Sequence, residues 1–379
     1  MTDLTEAIEL TAVAHGGWTV GRLDGRVIFV RGGLPGERVT VRVTDDSRKS
    51  FWRGEVAEVL RPAAERVTPP CPVADVCGGC DFQHVEPGFQ RELKRRVVAE
   101  QLSRLAGIDW RGQVEAVGGV MGWRTRMRYL TEDGRVGLRK ARSHELVDLP
   151  EQGCLIADPS QPGPVDLRAL ADETGTLEVI TSSGAETILT GHGVLRGPAV
   201  ISQTVGTRTF TLAADGFWQV HPDAARVLTD AVVEAADPLP GEVALDLYCG
   251  VGLFAAALAE RGLRVVGVES NRVAARYARR NVTGARIIDA PLERALLRLP
   301  RSADVVVVDP PRKGVGARVL AHLGSLQPRV IVHVACDPAS LARDAAELGR
   351  LGYTLQSLRA FDLFGMTHHV ECVASFTRA

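Results

Sequence analysis

Three side chains in the last quarter of the chain, Asp309, Cys336 and Glu371, are of types that could act together on one planar ring. Cys336 ends the apolar run Val330-Ile-Val-His-Val-Ala335 and precedes Asp337-Pro338, a helix N-cap with proline in the first turn. A thiol at a helix N-terminus has its thiolate stabilised by unsatisfied N–H groups. By position alone such a cysteine reads equally well as a small buried hydrophobe. The chemistry favours catalysis. Carbon 5 of a pyrimidine such as uracil is too weak a nucleophile to accept a methyl group unaided. A thiolate adding to carbon 6 turns the ring into an enolate whose carbon 5 can attack. A base must then take the carbon 5 proton so that the thiolate can leave. Glu371, in His368-His-Val-Glu371, is the candidate base, although a glutamate among apolar residues is by itself more often a satisfied buried acid or an edge-strand charge.

Upstream lies Asp246-Leu-Tyr-Cys-Gly-Val-Gly252, after one apolar run and before a helical stretch. Glycines there, Gly250 among them, let the backbone approach a ligand at the carboxyl end of a strand. Glu269, ending the next strand, is placed for ribose hydroxyls, and Asp289, ending the third, for an adenine. The same loop satisfies the dinucleotide fingerprint, so alone it does not choose between a nicotinamide cofactor and S-adenosylmethionine. Asp246 and Asp309-Pro-Pro311 favour S-adenosylmethionine, the second by setting a carboxylate and a stiff turn beside the reacting group.

The seven cysteines are uneven: Cys71, Cys77 and Cys80 cluster around Gly78-Gly79, while Cys154, Cys249, Cys336 and Cys372 are scattered. An odd count without a secretory signal argues against a disulfide framework. Cys71, Cys77, Cys80 and Cys154 could hold zinc or a 4Fe–4S cluster. Spacing does not choose the metal, and the residues by themselves lean slightly to zinc.

The elements that must position these groups fall into three regions, 1–61, 62–220 and 221–379. The first has β-rich segments at 27–30, 38–43 and 54–60 with turns at Asp24-Gly25 and 32–36, which predicts a small β-barrel. The second is a mixed α+β region with a helix over 87–105. From about Ala224 strands and helices alternate, with strands expected at 243–247, 264–268, 285–288, 304–308, 330–335, 353–361 and 369–376. Apolar strands of this kind imply a parallel sheet covered on both faces, with the last two strands antiparallel. Net charge is −1, so nucleic-acid binding must rest on local patches. Trp123-Arg-Thr-Arg-Met-Arg128, continuing through Arg135, Arg139, Lys140 and Arg142, is such a patch, with Arg124, Arg126 and Arg128 as its core. No run suits a membrane span and residues 1–10 are no signal sequence, so a cytoplasmic location is expected; no obligate protein partner is implied, and a monomer is expected.

Together these residues resemble the uracil-5 RNA methyltransferase family over nearly the whole chain. The stretch Ala14-His-Gly-Gly-Trp-Thr-Val-Gly, with Leu34-Pro-Gly-Glu37, is similar to a TRAM domain, an OB-like RNA-binding barrel. The resemblance implies a C-terminal Rossmann-like class I methyltransferase domain, with Cys336 as nucleophile, Glu371 as general base and Asp309 beside them. It places Gln219, Tyr248, Leu253, Glu269, Asp289 and Asp309 at the cofactor, Leu253 through its backbone. It makes the four cysteines ligands of a 4Fe–4S cluster, reversing the lean to zinc, and leaves Cys249 and Cys372 as core residues. It favours 23S rRNA over tRNA as substrate, with the target base unstacked and flipped. Two departures stand out: Asp337 replaces the usual asparagine after the nucleophile, where its charge could raise the thiol pKa, and His221 replaces an asparagine after Gln219.

Competing readings are an RNA methyltransferase acting on an exocyclic nitrogen through Asp309-Pro-Pro311, a catalytically silent RNA-binding iron–sulfur protein, and a nicotinamide enzyme. The first usually has an aromatic residue where this chain has Arg312 and needs no cysteine.

Overall fold

Short strands with every second side chain apolar open the chain: β1 (Asp3–Ala14), β2 (Trp18–Leu23), β3 (Arg26–Arg31), β4 (Arg38–Asp45) and β5 (Phe51–Arg61). In the computed structural model, which describes residues 3–171 and 175–378, they close into a barrel in the order β1-β2-β3-β5-β4. Met1, Thr2 and Ala379, inside the expected domain bounds, lie outside the described residues. Ile8, Leu10, Ile28, Val30, Val39 and Val41 fill the barrel. At Gly54 a Cβ would stand 2.5 Å from Val41 and 2.8 Å from the Arg42 carbonyl, so glycine is what lets β5 cross β4.

The cysteine-bearing loop leads into α1 (Pro87–Ala106), within a residue or so of expectation. Pro87 starts the helix, the Glu86 carboxylate accepts from the Phe89 N–H at 2.8 Å, and Gly107 ends it at φ 68°. Then come β6 (Val114–Ala116), β7 (Arg126–Glu132), β8 (Arg135–Arg139), β9 (Leu146–Asp148), α2 (Pro164–Ala169), β10 (Gly175–Ser182), β11 (Ala185–Thr190) and β12 (Gly193–Arg196). All of these strands but β6 form one antiparallel sheet, β12-β11-β10-β7-β8-β9. Strands β13 (Val200–Val205) and β14 (Arg208–Ala213) form a separate ribbon.

From α3 (Ala224–Ala236) onward the elements are β15 (Val243–Leu247), α4 (Leu253–Glu260), β16 (Arg264–Glu269), α5 (Arg272–Asn281), β17 (Arg286–Asp289), α6 (Leu292–Ala295), β18 (Val305–Val308), α7 (Ala317–Ser325), β19 (Val330–Ala335), α8 (Pro338–Arg350), β20 (Tyr353–Asp362) and β21 (Glu371–Arg378). They build a doubly wound sheet in the order β17-β16-β15-β18-β19-β21-β20-β6. The first five strands are parallel and β21 is antiparallel to both its neighbours. Every residue of β18 and β19 is buried, as covering on both faces demands.

Two pieces of the middle region belong to this sheet's layer. β6 adds parallel to β20 at the edge. On α1, Val98 and Leu102 share a core with Leu341 and Leu348 of α8. Buried Lys94 donates to Asp362 at 2.6 Å and to the Phe364 carbonyl at 3.1 Å. The Gln90 side-chain Oε1 accepts the Met366 N–H at 3.0 Å. Helix α1 therefore clamps the segment that leads from β20 into Glu371. Among the described residues no helix is long and apolar enough to cross a membrane.

Candidate active site

Register brings three expected groups to one sheet edge. Val308 pairs with His333, and Ala335 with Cys372. Asp309 thus lies one residue past β18 and Cys336 one past β19, while Glu371 begins β21 across from Cys336. A second layer fixes the edge. Buried His333 meets Asp344 of α8 at 2.9 Å, and Asp344 accepts the N–H groups of Val315 and Gly316 at 2.7 and 3.2 Å. That ties the strand leading to Cys336 to the loop beyond Asp309-Pro-Pro311.

Crowding acids in a buried place raises their proton affinities. Burial pushes Asp309 up to about 7. Burial, then the Asp309 charge, lifts Glu371 well above the carboxylate range. The Cys336 thiol is pushed up to about 11, first by burial, then by Glu371 and Asp309, with Arg312 pulling it down. Desolvation and two carboxylates thus oppose the thiolate stabilisation expected from the helix N-terminus. Asp337 does cap α8, accepting the Ser340 N–H at 2.7 Å, and its charge is among the smaller influences raising the thiol.

Beside this edge opens a cleft of about 520 Å³ lined by Tyr248, Gly250, Glu269, Asn271, Asp309, Arg312, Cys336 and Phe217, among others. Gly250 has φ 54° and open space where a Cβ would be. The Glu269 carboxylate accepts from Gly250 N–H at 2.9 Å and Asn271 N–H at 2.6 Å. Asp246 is wholly buried under the turn; its Oδ2 accepts the Ala255 N–H at 2.7 Å and its Oδ1 has no partner among the described residues. An orphaned acceptor, a carboxylate at the second strand's end and an uncrowded glycine turn fit an adenosyl cofactor bearing an amine. Asp289 stands next to Glu269 in register but does not line the cleft. Nor do half-buried Gln219 and buried Leu253, the first residue of α4. His221 is buried, stacked on Trp123 at 6.3 Å between centroids, and accepts the Asp223 N–H at 3.1 Å, so it packs the core. Sequence reasoning missed Phe217, 72% exposed at the cleft, and gave Arg312 no role, although its place directly after Pro311 was a signal.

The arginine segment divides. Arg126 is buried, its guanidinium donating to the Gly216 and Ala214 carbonyls at 2.5 and 2.8 Å. Its expected RNA contact is corrected accordingly: the guanidinium is spent on the backbone leading to Phe217. Arg124 and Arg128 instead line a groove of about 630 Å³ with Arg139, Lys140, Arg142 and His144. Among the described residues no carboxylate lines this groove, although Arg128 pairs with Glu178 at 3.0 Å and Lys140 with Glu145 at 2.9 Å beside it. Arg142 lies over the Trp18 ring of the barrel at 3.7 Å.

Cys71, Cys77, Cys80 and Cys154 all line one small cavity, otherwise walled mainly by Val73, Ala74, Leu138, Val147, Leu149 and Leu155. The Gly79 N–H donates to Cys77 Sγ at 3.4 Å. Burial pushes the Cys80 thiol up to about 12, with Cys154 and Cys77 adding to it. Among the described residues no three thiol, imidazole or carboxylate groups are drawn into a closed metal-ligand set. Cys249 and Cys372 are buried core residues, as expected.

Known proteins carry the same features. Residues 5–57 match the TRAM domain, 245–309 a methyltransferase domain and 297–379 the tRNA (uracil-5-)-methyltransferase family. An uncharacterised RNA methyltransferase of Streptomyces coelicolor is 41% identical over 97% of this chain and 91% of its own length. The 23S rRNA (uracil(1939)-C(5))-methyltransferase of Alkalilimnicola ehrlichii is 34% identical over 98% of this chain and 96% of its own. The Pyrococcus abyssi tRNA (uracil-54, C5)-methyltransferase, solved with S-adenosyl-L-homocysteine, superposes with a TM-score of 0.75 at 25% identity, covering 98% and 99% of the two chains. Matched over nearly its whole length by such relatives, this chain belongs to the S-adenosylmethionine-dependent uracil-5 RNA methyltransferases.

Proposed function

We propose that the enzyme methylates carbon 5 of a uridine in 23S rRNA through a covalent bond between Cys336 and carbon 6. The observation that carries this reading is the register of β19 and β21, which sets a cleft-lining thiol across from a buried carboxylate. The Cys336 thiolate adds to carbon 6, and the ring's π electrons move onto the carbonyl oxygen. S-adenosylmethionine would supply an electrophilic methyl; as carbon 5 takes it, the sulfonium–methyl bond breaks and the neutral thioether leaves. Glu371 then accepts the carbon 5 proton; the carbon 5–carbon 6 double bond re-forms, the S–C6 bond breaks and the thiolate leaves. Tyr248, Gly250, Glu269 and Asp309 would hold the cofactor from the cleft wall, with Asp246 beneath, and Gln219, Leu253 and Asp289 around it. At the Cys336 thiol, Arg312 opposes the negative charges of Glu371, Asp309 and Asp337.

The basic groove of Arg124, Arg128, Arg139, Lys140, Arg142 and His144 provides a track for RNA phosphates. A uracil reached on both faces must leave its stack. The four cysteines around one apolar cavity fit a 4Fe–4S cluster, which would cross-link the 71–80 loop to Cys154. Preference for 23S rRNA rests on the likeness to the Alkalilimnicola ehrlichii enzyme over nearly the whole of both chains.

Incubation with RNA carrying 5-fluorouridine tests the mechanism, because fluorine cannot be removed as a proton. A denaturation-resistant protein–RNA adduct that maps to Cys336 is expected. Turnover without any adduct would rule the mechanism out. Mapping 5-methyluridine in cells with and without the gene tests the substrate: loss from 23S rRNA is expected, and loss from tRNA alone would overturn that part.

A further inference from the structure

The tip of the β1–β2 hairpin touches the nucleophile's helix. His15 Nε2 lies 2.9 Å from Asp337 Oδ2, while Asp337 Oδ1 accepts the Ser340 N–H at 2.7 Å. The carboxylate next to Cys336 is thus shared between a helix cap and an imidazole delivered by another domain. The same tip makes two further contacts. A Cβ on Gly17 would stand 3.0 Å from His368 Cβ, and Trp18 lies under Arg142 of the basic groove.

We propose that His15 is a positioning residue for Cys336: by donating to Asp337 it offsets the negative charge that this chain carries beside its nucleophile, and it makes thiol reactivity depend on the seating of the RNA-binding barrel. This rests on the reading of Cys336 as nucleophile. An asparagine at 337 could cap α8 just as well through its carbonyl, without a charge to offset. With aspartate, His15 adds a second donor to the one that Ser340 supplies. Despite the upward push of burial, the hydrogen bonds from His15 and Ser340 bring Asp337 down to about 2, so it is anionic whenever the thiol reacts. Arg343 also faces Asp337. Glu371, Asp309 and Arg312 face the thiol. Arg96, Glu100 and Arg104 of α1 share the groove that holds His15. Of these groups only His15 comes from the barrel and bonds Asp337 directly.

The test is the rate of iodoacetamide alkylation at Cys336 between pH 7 and 10, read on the Cys336 peptide by mass spectrometry, in wild type, His15→Ala, His15→Gln, Asp337→Asn and His15→Ala/Asp337→Asn. His15→Ala is expected to slow alkylation at pH 8 by about threefold, the consequence of raising the thiol pKa by roughly half a unit. His15→Gln, which restores a donor, should recover most of the rate. In the Asp337→Asn background, loss of His15 should change the rate by less than about 1.5-fold, since no charge is left to offset. An equal effect of His15→Ala in both backgrounds, or none in either, overturns the proposal. Alkylation needs no catalysis, so a failure of the covalent mechanism would appear separately, as absence of the 5-fluorouridine adduct.

Discussion

Cys336 and Glu371 face one another across β19 and β21, one step beyond the Ala335–Cys372 pair. Antiparallel insertion of β21 between β19 and β20 is what makes this possible, since the start of β21 meets the end of β19. A cleft-lining thiol and a buried carboxyl thus meet at one end of the sheet.

Replacing the base should separate the two halves of the reaction. In Glu371→Gln the thiolate can still add and carbon 5 can still be methylated, but release is blocked. The expected result is a methylated enzyme–RNA adduct that persists with ordinary uridine RNA, and turnover lower by about 10²–10⁴-fold. Denaturing electrophoresis with methyl-labelled cofactor measures both.

Because the free thiol is pushed up to about 11, the reactive thiolate is a small fraction at neutral pH. That fraction grows about tenfold per pH unit below the pKa. Adduct formation with 5-fluorouridine RNA should therefore accelerate from pH 7 to 9 without a plateau. Arg312 lowers the thiol pKa, so Arg312→Ala raises it and should slow adduct formation several-fold at pH 8. A plateau near pH 7.5 would contradict this.

Much of this arrangement was legible in the chain itself, and the failures have physical causes. The runs ending at Leu247, Glu269 and Ala335 announce buried strands, because near-continuous Val, Ile and Leu suits only a sheet covered on both faces. Asp337-Pro338 marks the start of α8 by local capping chemistry. By contrast, β6 is three residues long and owes its conformation to β20, some 240 positions away, so no local period could reveal it. Arg126 sits among arginines that do face solvent, and only the tertiary fold shows its guanidinium turned inward to two carbonyls. The thiol's high proton affinity likewise depends on Glu371 and Asp309, which only the sheet brings near.

Lys94 and Asp362 form a fully buried ion pair between α1 and β20. Lys94→Met leaves the Asp362 carboxylate uncompensated and should cost about 3–5 kcal/mol, seen as a lower midpoint in denaturant unfolding. A change below 1 kcal/mol would show that the clamp on the 363–370 segment is not structural.

For the basic groove, Arg139→Ala and Arg142→Ala should each weaken RNA binding and reduce the slope of log affinity against log salt by about 1. Arg126→Ala should instead lower stability and leave that slope unchanged, since its guanidinium is bonded to backbone. Filter binding across a salt series distinguishes them.

The most direct measurement is single-turnover methylation of the RNA substrate by Cys336→Ala, with S-adenosylmethionine binding checked by calorimetry. Intact cofactor binding with methylation reduced to background is the predicted result. Methylation at the wild-type rate would contradict the account.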